Sequence, residues 1–418
     1  MSIVRQGVVF YDKESGELVL HNYMDFDDLN DYVNISYELT QDGLVIGKGK
    51  LSEVSVAPHS EGKTNLKVNV PESGKCYLKL IYHLKKEMPL LEEDHILGFD
   101  EIEVSQKDAK CQLAEKWMEK TATNSELQVN ENDTQIHIKG REFSYTIDRR
   151  TALFTEMKFA GREYLNHPME LNIWRAPTDN DMYIKSEWKK AHYDKAYTRA
   201  YTIEVAQGKH GVKITSHASV VAETVQKILD VTITWKIDAA GKIDADIAVT
   251  KDGEFPDLPR FGVRMFLDKK LSDARYFGMG PQESYRDKHQ AASHSLYRAN
   301  VGDLHEDYIR PQENGSHYDC EYVELNNSRY GIVASAEKAF SFNASYYTQE
   351  ELEKKTHNYE LIESDSVVFC VDYALNGIGS NSCGPVVLDQ YRFDDVLFRF
   401  QFTLIPYVKG IIKVSCNP

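Results

Sequence analysis

Apolar and polar residues alternate with a period of two along most of this chain. Residues 18–23 and 33–39 carry the alternation of a strand with one buried face. Asp42-Gly43 follows as a hairpin turn, because glycine accepts the positive φ that a tight turn requires. Residues 66–70 and 77–82 continue the alternation on either side of a break at 71–74. Short strands at close intervals predict a small immunoglobulin-like sandwich over residues 1–104.

The pattern stops over residues 105–125. Lys, Gln, Glu and Ala dominate there, and Leu113 and Trp117 stand one helical turn apart. This predicts a linker with one short helix. From residue 126 the strand period returns at 135–139 and 143–147, turns at Asp148-Arg149-Arg150-Thr151, and comes back over 153–159. It recurs at 212–214, 231–235, 245–249 and 396–405. Helical periods are few, with one short helix expected at 349–355. The fold class is therefore all-β, with residues 126–418 forming one large antiparallel sandwich.

Four polar segments interrupt the strands. In the first, Asn172-Ile173-Trp174-Arg175-Ala176-Pro177-Thr178-Asp179-Asn180-Asp181, a stiff Arg-Ala-Pro corner precedes a run of short oxygen-bearing side chains that suit turns. It either presents those oxygens or pairs Arg175 with the aspartates internally. It lacks the glycine and distal glutamate of a calcium loop. The second, residues 277–287, places Glu283 and Asp287 as acid, base or sugar acceptors, or as members of internal salt bridges. The third, residues 308–315, repeats Pro-Gln-Glu and offers Gln312, Glu313 and Asn314 to ligand hydroxyls or to a buried polar network. The fourth, residues 377–385, is a glycine-rich loop around Ser380, Asn381, Ser382 and Cys383 without the spacing of a nucleophile elbow. The 25 tyrosines include candidate sugar-stacking rings, although aromatic side chains also suit a sheet surface.

Composition narrows the partners. The chain has 418 residues, 27% of them charged, and a net charge of −16, which argues against nucleic acid and against an anionic membrane surface. The six cysteines are scattered without a Cys-x-x-Cys pair, so neither a zinc site nor a disulfide framework is expected. No segment approaches the roughly 20 apolar residues of a membrane span, and no secretory pattern opens the chain. The expected location is the cytoplasm.

In their order along the chain, Trp-Arg-Ala-Pro-Thr-Asp-Asn-Asp (174–181), Gly-Met-Gly-Pro-Gln-Glu-Ser-Tyr (278–285), Pro-Gln-Glu-Asn-Gly (311–315) and Gly-Ile-Gly-Ser-Asn-Ser-Cys-Gly-Pro (377–385) resemble the C-terminal domain of family 2 β-galactosidases. So do residues 345–352 and the turn at 148–151, and residues 1–104 resemble the immunoglobulin-like domain that precedes it. The resemblance implies a galactose-mutarotase-like large sandwich. It also implies that the two hydrolytic glutamates and the magnesium ligands lie in a separate (β/α)8 barrel, with no catalytic residue, metal or cofactor in this chain. Retaining hydrolysis needs two carboxyl groups about 5–5.5 Å apart across the glycosidic bond. Nothing in the sequence places Glu283 and Glu313 in one cleft.

The resemblance thus implies a non-catalytic portion or small subunit that completes such a barrel, in an oligomer, with galactosides at a shared rim. Asn381, Ser382 and Cys383 are the rim candidates; some relatives have an aromatic at the position of Cys383, where cysteine offers no ring face. Arg175, Asp179, Asn180, Asp181, Glu283, Gln312, Glu313 and Asn314 are the polar-cluster candidates. Two alternatives stay open. One is an aldose mutarotase or epimerase using His289, His294, His317, Glu283 or Glu313 as acid and base. The other is a free carbohydrate-binding module.

Overall fold

A computed structural model describes residues 7–118, 127–209, 211–379 and 384–410. The chain divides into two compact units, Met1–Glu115 with His294–Leu296, and Lys116–Ser293 with Tyr297–Pro418.

The first unit holds β1 (Val8–Tyr11), β2 (Glu17–His21), β3 (Val33–Gln41), β4 (Leu44–Lys50), β5 (Glu61–Asn65), β6 (Cys76–Leu84) and β7 (Ile96–Glu103). They form two antiparallel sheets, β1-β2-β5 and β4-β3-β6-β7. The period of two explains the core. Leu78, Leu80, Tyr82 and Leu84 of β6 lie opposite Leu39, Tyr37, Ile35 and Val33 of β3 and point to one face. Leu18 and Leu20 of β2 join the same apolar cluster from the other sheet. Asp42 (φ 49°) and Gly43 (φ 81°) make the tight β3–β4 turn that the dipeptide predicted.

The strand expected at 66–70 is absent. The third strand of its sheet is the polar β5 just upstream, paired with β2. Leu66 is nevertheless buried, and Val68 and Val70 pack against the core from a stretch without ladder bonds. Alternating apolar residues reported burial there, not strand pairing.

A short helix, Gln112–Met118, lies in the segment expected to link the sandwiches. The second unit then opens with β8 (Gln128–Glu131), β9 (Gln135–Lys139), β10 (Phe143–Asp148), β11 (Leu153–Phe159) and β12 (Arg162–Glu163), a sheet in simple meander order. The remaining strands are β13 (Leu165–Asn172), β14 (Tyr197–Gly208), β15 (Gly211–Val221), β16 (Leu229–Asp238), β17 (Ile243–Lys251), β18 (Arg260–Asp268), β19 (Asp273–Gly280), β20 (Ser293–Asn300), β21 (Ser316–Asn326), β22 (Tyr330–Ser345), β23 (Ser366–Leu375) and β24 (Leu397–Val408). Nine of them run in the order β13-β18-β23-β22-β24-β17-β16-β15-β14, and β21 and β19 extend from β22. Every described pairing is antiparallel. The predicted helix at 349–355 is Gln349–Lys354, capped by Thr348. Among the described residues no helix is long and apolar enough to cross a membrane.

The core of this unit lies where the meander sheet meets the long one. In β16 every second residue, from Leu229 through Val231, Ile233 and Trp235 to Ile237, is buried. Trp235 packs edge-on against Phe154 of β11 at 5.0 Å and donates its indole N–H to the Ala152 carbonyl at 2.8 Å. Tyr145 of β10 donates to the Gly241 carbonyl at 2.7 Å. Both rings thus place their polar atom on a backbone acceptor, so neither is left unmet.

Besides two shifts between β13 and β18, three register shifts fall among β18, β21, β22 and β23. Between β18 and β23, Phe261 pairs with Ala374 and Gly262 with Asp372, so Tyr373 is an extra residue. Between β21 and β22 the register shifts once between His317 and Cys320 and again between Cys320 and Tyr322. Asp319, inside the first shift, has φ 54°. Bulges of this kind bend a strand and re-aim its side chains.

Replacing Ile247, fully buried opposite Ile233, with alanine is expected to lower the unfolding free energy by about 2–5 kcal/mol in urea denaturation. Lys236→Ala, on the exposed face of the same sheet, should stay within about 0.5 kcal/mol of the parent. Equal effects at both positions would contradict the facing assigned to these strands.

Candidate functional site

The polar segments converge on residues 376–379, just after β23. Arg175 is fully buried. Its Nε and Nη2 donate to the two carboxylate oxygens of Asp181 at 3.1 and 2.7 Å. Its Nη1 donates to the Asn376 carbonyl at 2.5 Å and its Nη2 to the Gly377 carbonyl at 3.1 Å. The rigid corner ending at Pro177 is what turns the chain so that Asp181 folds back onto Arg175. Residues Asp179–Asp181 form a single 3-10 turn, and the Thr178 N–H donates to Asp181 at 2.9 Å. Asn180 donates from Nδ2 to the Ile378 carbonyl at 2.6 Å. Asp179 and Gln312 are joined by a bond from the Asp179 N–H to Gln312 Oε1 at 3.0 Å.

Asp287 closes the same region from the second segment. Its carboxylate accepts the N–H groups of Ile378 and Gly379 at 3.1 and 2.8 Å. It therefore orients backbone, where the sequence offered it as an acid, a base or a sugar acceptor. Asn376 accepts the Phe393 N–H at 2.8 Å on its side-chain oxygen.

A second buried cation lies beside this one. Arg260, also fully buried, bonds both oxygens of Asp372 and approaches Glu313 at 3.3–3.4 Å. The neighbouring carboxylates hold its guanidinium charged although burial opposes this. Burial pushes the Glu313 carboxyl above the usual glutamate range, against the pull of Arg260 and Arg175. The Glu313 N–H donates to the Ala176 carbonyl at 3.0 Å, which ties the third segment to the first. A Cβ on Gly262 would lie 2.3 Å from the Val371 carbonyl and 2.4 Å from Asp372, so glycine is what lets this part of β18 lie against the ion pair.

Glu283 is occupied as well. One oxygen meets Lys288 and the Tyr308 hydroxyl, and the other accepts the Gly315 N–H at 2.9 Å. Burial works against the Lys288 charge, but its bonds to Glu283 and Tyr308 hold its pKa above the lysine norm. Asn314 is a turn residue: its oxygen accepts the Glu306 N–H at 3.1 Å and its amide donates to the Gln312 carbonyl at 2.9 Å. Asn381, Ser382 and Cys383 lie outside the described residues. Among the described residues no group of three or more His, Cys, Asp or Glu side chains is arranged to hold a metal.

Chemically, this arrangement fixes loops. Asp181, Glu283, Asp287 and Glu313 each meet a backbone N–H, a cation or a hydroxyl from within the chain, and the exposed Asp179 carboxylate meets the Gln312 amide at 3.4 Å. The histidines fit acid/base work no better. His317 is enclosed between Tyr276 and Phe342, with ring centroids at 4.6 and 5.0 Å, and burial lowers its pKa to about 4. His294 bonds Glu101 at 2.8 Å within the first unit, and His289 bonds the Tyr285 carbonyl at 3.0 Å. Arg260 and Asp372 went unremarked in the sequence. The available signal was a charge embedded in each of two apolar runs, Leu-Pro-Arg-Phe-Gly-Val and Phe-Cys-Val-Asp-Tyr-Ala, since charges in such runs are paired when buried.

The family model for the beta galactosidase small chain matches residues 139–404, and that for beta-galactosidase domain 4 matches residues 18–105. A beta-galactosidase of Actinobacillus pleuropneumoniae is 42% identical over 391 residues, covering 93% of this chain and 38% of that protein. One of Staphylococcus xylosus is 30% identical over 398 residues, covering 94% of this chain and 39% of that protein. The chain thus spans under two fifths of these relatives' lengths. A galactose 1-epimerase structure from Lactobacillus acidophilus NCFM aligns with 69% of this chain and 99% of its own at 8% identity and a TM-score of 0.37, too distant a likeness to bear on fold or function.

Removing one partner of the buried pair, by Asp372→Ala, is expected to cost about 3–5 kcal/mol in urea denaturation, because Arg260 keeps its burial and loses its principal counter-ion. A loss below about 1 kcal/mol would mean that Arg260 is hydrated or re-paired. His317 yields a pH dependence. Its folded pKa is about 4 against an ordinary 6.5, so between those values the unfolded chain binds the extra proton. Its contribution is complete above pH 6.5 and shrinks as pH falls towards 4, by up to about 3 kcal/mol. His317→Phe should flatten that part of the stability–pH curve, and an unchanged slope would assign it to other groups.

Proposed function

The chain belongs to the beta galactosidase small chain family, and from that premise we propose that it is the non-catalytic C-terminal portion or small subunit of a β-galactosidase. It completes and stabilises a (β/α)8 barrel, in the same polypeptide or a separate one, that hydrolyses terminal β-galactosides such as lactose. The observation that carries this reading is coverage: relatives named beta-galactosidases match the chain almost end to end, and it accounts for only 38–39% of their length. The engaged state of Glu283 and Glu313 supports it, because a retaining pair must keep a sugar between two accessible carboxyl groups.

On this reading the domains are residues 1–104, a linker at 105–125 and residues 126–418. The acid/base and nucleophilic carboxylates, with magnesium, belong to the barrel. Asn381, Ser382 and Cys383 reach its sugar rim, with the backbone bonds at 376–379 fixing where that loop departs. The assembled enzyme is an oligomer of the cytoplasm.

Mixing the 418-residue chain with a barrel chain from a small-chain relative is expected to raise nitrophenyl-β-galactoside hydrolysis well above that of either alone. A stoichiometric complex with no gain in turnover would sink the proposal, as would hydrolysis by the purified chain by itself.

A further inference from the structure

The register shifts between β18 and β23 and between β21 and β22 meet at one place. Tyr373, the extra residue of β23, and Tyr318 and Asp319, inside the irregular part of β21, line a recess of about 220 Å³ together with Ser341 of β22, Arg286 and Asp395. Bulges cluster where a sheet re-aims side chains for binding, and here they converge. A non-glycine residue with positive φ, Asp319, adds a local strain of the kind found at such places.

We propose that this recess binds one neutral sugar ring. Both tyrosines are half-buried and each ring is braced from behind, Tyr373 stacked on Phe398 at 4.9 Å and Tyr318 on His289 at 5.8 Å. Rigid aromatic faces are the apolar half of sugar recognition and lose little entropy on binding. Among the described residues the hydroxyls of Tyr318, Tyr373 and Ser341 have no hydrogen-bond partner. Arg286 gives one N–H to the Arg392 carbonyl at 2.9 Å and keeps others for a ligand. The lining thus offers donors, acceptors and ring faces together. The lining carries the Arg286 guanidinium together with carboxylates, Asp395 among them, so no excess of positive charge is left to hold a phosphate or another anion. Volume and charge select a single uncharged polyhydroxylated ring. The site differs from the loop cluster at 376–379, whose polar groups are already paired, and only the choice of galactosides as probes rests on the β-galactosidase reading.

The test is calorimetric titration and ligand-observed NMR on the full 418-residue chain with galactose, glucose, lactose and galactose 6-phosphate. Weak, saturable binding of at least one neutral sugar is expected, with the phosphate at least about tenfold weaker. Tyr373→Ala and Arg286→Ala should each weaken binding about tenfold. Circular dichroism checks that the variants fold. Should Tyr373→Ala unfold, Tyr373→Phe, which keeps the ring, and Asp395→Asn, at an exposed residue, decide in its place: Asp395→Asn weakens the neutral sugar and relieves the discrimination against phosphate. No saturation at tens of millimolar of any neutral sugar overturns the proposal, as does binding that all these variants leave unchanged. This titration needs no barrel chain, so its outcome is separate from the complementation result.

Discussion

A guanidinium with no exposed surface, Arg175, lies between one carboxylate and two backbone carbonyls, and the placement of the loops follows from it. Taking such a charge out of water costs several kcal/mol, which only a full set of well-placed acceptors offsets. The acceptors come from Asp181, six residues on, and from Asn376 and Gly377, about two hundred residues on. Any conformation that separates these stretches strands a buried cation. The net stability from the pair is therefore modest, while its demand on geometry is strict. Asn180 and Asp287 act on the same few residues, so that the backbone from 376 to 379 is held from two directions.

Arg260 repeats this logic inside the sheet. It sits on β18 opposite Leu375, two residues along β23 from the extra residue, and its carboxylate partner, Asp372, is the residue that pairs with Gly262. The bulge, the glycine and the ion pair form one device: the glycine leaves room for Asp372, and the extra residue turns Tyr373 out of the ladder. A sheet whose central strands are buried on both faces otherwise has little surface for function. Irregularity in the register is how such a sheet gains a concave feature without giving up its core.

Much of this architecture was legible from the period of two. The strands at 135–139, 143–147, 153–159, 231–235 and 245–249 lie where alternation put them, as do the Asp42-Gly43 turn and the helix capped by Thr348. Residues 66–70 show the limit, since Leu66 is buried as the pattern requires while the ladder runs through the polar strand before it. The bulges were not legible, because register is a relation between two strands and leaves no mark within either. Roles were harder than positions. Glu283, Glu313 and Asp287 were visible as carboxylates in ordered polar segments, but nothing local distinguished an acceptor for sugar from an acceptor for a backbone N–H.

The motifs that mark the family and the residues fitted to touch a ligand form different sets. Arg175, Asp181, Glu283, Asp287 and Glu313 stand in the segments most readily recognised, and each has its hydrogen-bonding capacity engaged by the chain itself. A group that recognises a sugar must keep a valence open until the sugar arrives, because displacing an internal bond returns nothing net. Tyr318 and Tyr373 keep that capacity outside the recognised segments, carried by strand irregularities, and Arg286 keeps it at the end of one, next to Asp287. The recognised motifs therefore report how the scaffold closes, and binding chemistry is to be sought where the ladder is broken.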